Sequence, residues 1–85
     1  MAKKKINKEE LGRELMELME VSAPMYIFDP LYFAAGDWVP NSMRIENILI
    51  ARGEWEWDKN QSLFDVIENH YGKRAVEIIK ILLAN

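Results

Sequence analysis

Cysteine is absent from the 85-residue chain. Disulfides and thiolate-ligated zinc or iron–sulfur centres are therefore excluded, and the composition points to a reducing compartment such as the cytoplasm. Histidine occurs once, as His70, so any imidazole-based catalytic pair has to be built around that residue. Ser22, Ser42 and Ser62 are the available hydroxyls, and none lies in a nucleophile-elbow sequence. Phosphate-binding glycine loops, EF-hand loops and HExxH are missing as well. No apolar run approaches the roughly 20 residues of a membrane span. The opening MAKKKINKEE is basic, with no apolar stretch behind it, which is not the pattern of a signal peptide. Together these absences argue against an enzyme, a cofactor, a bound metal and a membrane.

The apolar fraction is 49 %, enough for a core in a single small domain. Residues 1–6 read as a flexible basic tail and residues 7–85 as one helical domain. Charge is uneven: residues 1–8 carry four lysines and no acid, whereas residues 9–20 carry five glutamates against Arg13. A basic tail precedes an acidic body, and the whole chain carries a net charge of −3.

The few glycines and prolines punctuate the rest. NKEELGRELMELMEV predicts an amphipathic helix over about 8–21, with Asn7 as N-cap and Glu10 completing a capping box. Gly12 lies at the margin of its apolar stripe, either admitting a close neighbour or resting on the surface. Pro24 ends this helix, and Met25 to Phe28 form a short strand or buried linker. DPLYFAAG is a complete short helix: Asp29 caps it, Pro30 fits its first position and Gly36 its left-handed end. SLFDVIENHYG predicts a helix that starts at Ser62 with Asp65 and stops at Gly72. KRAVEIIKILLAN predicts a last helix, apolar over more than half its circumference. Such a helix is either central to the domain or part of a dimer interface.

Residues 41–58, NSMRIENILIARGEWEWD, support two readings. In one, Asn41 caps a helix over 42–52 that Gly53 stops. In the other, NILIA and EWEWD are arms of a hairpin turning at Arg52-Gly53. That hairpin sets Ile50 opposite Trp55 and Ile48 opposite Trp57, with Glu54, Glu56 and Asp58 on the other face. The alternation in EWEWD favours the hairpin. The expected architecture is thus predominantly α (α+β), a compact domain of about four helices with a small β-hairpin; the alternative is an all-α bundle.

For function, the expectation is a non-enzymatic interaction module, an inhibitor or adaptor bound to a larger, basic-surfaced partner such as a nucleic-acid-handling protein. Small acidic inhibitors of phages and mobile elements share this size and charge. Tryptophan and tyrosine dominate binding hot spots, and flanking acids suit a basic partner. The candidate contact residues are Asp37, Trp38, Glu54, Trp55, Glu56, Trp57 and Asp58. A second reading is a helix-turn-helix-like nucleic-acid binder built on 29–36 and 42–52, with Lys3, Lys4, Lys5, Arg44, Arg52, Lys73 and Arg74 on phosphates. Glu46, Glu54 and Glu56 oppose it. A third is a homo-oligomeric module paired through the last helix.

Overall fold

The computed structural model describes residues 6–56 and 60–84. Five α-helices follow in order: α1 (Lys8–Leu18), α2 (Pro30–Ala34), α3 (Ser42–Ala51), α4 (Leu63–Tyr71) and α5 (Lys73–Ala84). A 3₁₀ turn at Pro24–Tyr26 lies between α1 and α2.

The helix starts follow their caps. Asn7, Asp29 and Asn41 each accept a backbone N–H of the first turn they precede, from Glu10, Leu31 and Arg44. Each satisfies a donor that a helix start otherwise leaves without an intrahelical partner. Ser62 occupies the same position before α4 without a side-chain cap bond.

The ends of α1 and α3 are built alike. Beyond α3, Glu54 N–H bonds the Leu49 carbonyl and Gly53 N–H the Ile50 carbonyl, with Gly53 at φ 73°. Beyond α1, Val21 N–H bonds the Met16 carbonyl and Glu20 N–H the Glu17 carbonyl, with Glu20 at φ 55°. This is one Schellman arrangement, and α2 ends the same way, with Asp37 N–H on the Tyr32 carbonyl, Gly36 N–H on the Phe33 carbonyl and Gly36 at φ 87°. In α3 the left-handed position holds glycine; in α1 it holds glutamate, the only non-glycine positive φ among the described residues.

The predicted hairpin is not formed, and no strand occurs among the described residues. A two-residue hairpin turn of the favoured type needs positive φ at both central positions. Arg52 instead has φ −89° and caps α3. The chain continues from helix into the Gly53 stop, and Ile45 and Leu49 bury themselves as a helical face. The only β-type pairing among the described residues is an isolated antiparallel bridge between Phe28 and Pro40, bonded through Asp29 N–H to Val39 and Asn41 N–H to Ile27.

Gly72, at φ 94°, turns the chain between α4 and α5. The last helix packs on both α4 and α1, burying Ala75, Val76, Ile78, Ile79 and Leu82. Its wide apolar arc is therefore that of a central helix. The core joins these residues to Leu15, Met19, Ile27, Phe28, Ile45, Leu49 and Ile67. Apart from Ala75, each such side chain contributes on the order of 1.5–3 kcal/mol when fully buried. On the surface Arg74 clamps α5 to α1, bonding both carboxylate oxygens of Glu14 at 2.8 and 3.0 Å and also reaching Glu77. The Arg74 hydrogen bonds hold the Glu14 carboxyl below its usual range. No helix among the described residues is long and apolar enough to cross a membrane.

Candidate functional site

The predicted contact residues divide between the core and internal bonds. Trp38 is only 8 % exposed. Its ring meets Phe33 and Phe28 edge-on, with centroids 4.7 and 5.1 Å apart, a geometry the aromatic quadrupole favours. Gly12 of α1 lies beneath the ring, and the Arg13 guanidinium sits 5.8 Å from its centroid. The neighbouring Asp37 pairs with Lys8 at 2.7 Å. Trp55 is likewise 8 % exposed, and its indole N–H donates to the Gln61 carbonyl at 3.4 Å. Glu56 is exposed. Trp57 and Asp58 lie outside the described residues.

Glu54 turns inward into a polar junction where three helices end. Tyr71, last residue of α4, donates its hydroxyl proton to Glu54 Oε1. The other oxygen, Oε2, lies 3.8 Å from His70 Nδ1. Arg52, just past α3, donates to Tyr71 Oη at 2.8 Å, to the Met19 carbonyl, and to the Glu20 carbonyl at 2.9 Å. The carbonyls left over at the end of α1 thus receive a cation, which the helix dipole favours. Burial, and then the bond to Glu54, push the Tyr71 phenol above its ordinary value of 10.0. The Tyr71 hydroxyl thus ties the end of α4 to Glu54 and Arg52 beyond α3.

What pattern reading misses is a set of exposed apolar side chains. Among the described residues the large exposed hydrophobics are Ile6, Met25, Tyr26, Leu31, Tyr32, Met43 and Leu83. Five of the seven fall between residues 25 and 43. Antiparallel pairing at Phe28–Pro40 brings the 3₁₀ turn beside the start of α3, where Arg44 donates to the Met25 carbonyl. Next to Tyr26 is an open groove of about 210 Å³, walled by Glu20, Val21, Ile48, Ala51 and Arg52. The available signals were Leu31 immediately after a capping Asp-Pro, and a Met-Tyr pair after Pro24.

The chain matches no protein family, no curated protein and no solved structure.

Proposed function

We propose that this chain is a non-enzymatic protein–protein interaction module, an acidic inhibitor or adaptor of the kind carried by phages and mobile elements. Its target is a larger protein with a basic surface, such as one that handles nucleic acid. The observation supporting this reading is the exposure of Met25, Tyr26, Leu31, Tyr32 and Met43 within one short stretch. Tyrosine and methionine, four of these five, are enriched at interfaces. The net charge of −3 favours a basic partner. The contact surface we assign is therefore the segment 20–51 rather than Asp37, Trp38, Glu54 and Trp55, because the two tryptophans are nearly enclosed and the two acids are already bonded.

The nucleic-acid reading draws less support. Two arginines it requires are engaged internally, Arg44 on the Met25 carbonyl and Arg52 on Met19 and Glu20. Pairing through the last helix would rest mainly on the exposed Leu83, because the arc's other large side chains Val76, Ile78, Ile79 and Leu82 are buried in the core.

Affinity capture from lysate of the source cells, or their host, tests the proposal. Wild type is run beside a folded Leu31→Asp, Met43→Asp variant. Recovery of one basic-surfaced protein by wild type and its loss with the variant is the expected result. Recovery of nucleic acid without a specific protein would contradict the proposal and favour the second reading.

A further inference from the structure

Resting on the interaction-module reading, we infer that Met25 and Met43 are a modification site: oxidation of their thioethers to sulfoxides disables the contact surface without unfolding the chain. Cysteine is absent, so methionine is the residue an oxidant of the peroxide class attacks first. Of the five methionines, four lie among the described residues, and the fold sorts them. Met19 is 0 % exposed, and Met16 is partly buried against the core. Met25 is 58 % exposed and Met43 67 %. Both exposed thioethers fall in the stretch assigned as the contact. Met25 lies in the 3₁₀ turn and Met43 in the first turn of α3, and the Arg44 bond to the Met25 carbonyl joins these two segments. In sequence the pair brackets the exposed Tyr26, Leu31 and Tyr32.

The chemistry is a two-electron oxygen transfer. A sulfur lone pair attacks one oxygen of hydrogen peroxide, the O–O bond breaks, the thioether is oxidised to a sulfoxide and the peroxide is reduced to water. A thiol-dependent sulfoxide reductase reverses the step: the oxygen leaves as water while two thiols are oxidised to a disulfide. The sulfoxide puts a polar, chiral S=O group where a soft apolar sulfur stood. On the free chain that oxygen faces solvent and leaves the core untouched. In a dry contact it has to shed its water, which weakens binding by about tenfold for each sulfoxide left without a donor.

The test treats the full-length protein with dilute hydrogen peroxide, removes the peroxide with catalase and locates the sulfoxides by peptide mass spectrometry. The treated chain is then titrated against the purified protein recovered by the lysate capture. Met25 and Met43 should oxidise about tenfold faster than Met19. The Tm should stay nearly unchanged, as for other surface changes. Affinity should fall by about tenfold for one sulfoxide and further for two, and a sulfoxide reductase supplied with dithiothreitol should restore it. Treated and untreated forms of a Met25→Leu, Met43→Leu variant should bind alike, whatever their common affinity; if that affinity is too weak to compare, the reductase result decides. Undiminished binding with both sulfoxides in place overturns the inference while the interaction-module reading stands. So does earlier oxidation at Met16 or Met19, a loss the reductase does not repair, or an equal loss in the leucine variant. If untreated wild type captures no protein, the module reading itself fails, so the two failures are distinguishable.

Discussion

The six-membered ring of Trp38 occupies the space a side chain on Gly12 would need. A Cβ built on that glycine would meet three ring carbons, two of them at 2.9 Å and the third closer still. The close approach fixes the loop after α2 against α1, and it explains a glycine in the middle of a helix. Glycine there costs about 1 kcal/mol of helix propensity relative to alanine. Gly12→Ala recovers that amount but forces a rigid aromatic ring out of a packed cluster, at a cost of about 3 kcal/mol. The expected outcome is a net loss of about 2 kcal/mol, read from urea unfolding followed by tryptophan fluorescence. A neutral or stabilised variant would mean that Trp38 does not rest on α1.

Arg52 joins the ends of α1, α3 and α4. Removing its guanidinium strips the Met19 and Glu20 carbonyls and Tyr71 Oη of a donor. Water can replace part of this at a site so near the surface. Arg52→Met should therefore destabilise by about 1–2 kcal/mol, and Tyr71→Phe by about 1 kcal/mol. A double-mutant cycle should give a coupling of about 0.5–1 kcal/mol, since both residues belong to one network.

The Tyr71 phenol is raised above 10.0 in the folded chain. Above pH 10 the unfolded state therefore binds fewer protons than the native state, and stability falls as pH rises. Below pH 10 the contribution is fully present. Subtracting the alkaline absorbance titration of Tyr71→Phe from that of wild type should isolate a tyrosinate signal with its midpoint above 10. Wild type should also lose more stability than Tyr71→Phe as alkaline pH passes through that midpoint.

Glu20 occupies the position that Gly53 fills in the matching turn after α3. A left-handed non-glycine residue costs about 1–2 kcal/mol, and an acid at a helix C-terminus adds an unfavourable dipole contribution. Allowing for the greater freedom of glycine in the unfolded chain, Glu20→Gly should stabilise by about 1 kcal/mol. Differential scanning calorimetry would record the gain as a raised Tm.

Local signals were legible in the sequence. Asn7, Asp29 and Asn41 cap the helices they precede, Gly36 and Gly72 stop theirs, and the broad apolar arc of α5 marks the central helix. The hairpin reading failed because EWEWD alternates like a strand, while the two-residue turn depended on an arginine adopting positive φ. The surroundings of the candidate contact residues were not legible for a related reason. Alternation says that two tryptophans share a face, but whether Trp55 reaches solvent depends on what folds over it. Glu20 gave no warning, because glutamate is not a recognised stop residue. The meeting of Arg52 with Met19 and Glu20 spans more than 30 residues and leaves no local pattern.

The most direct measurement is hydrogen–deuterium exchange on the captured complex, compared with the free chain. If the surface from Glu20 to Ala51 is the contact, peptides covering residues 20–33 and 43–51 should slow on binding, with 53–60 unchanged. Protection confined to 53–60 would contradict this and return the contact to the tryptophan-and-acid segment.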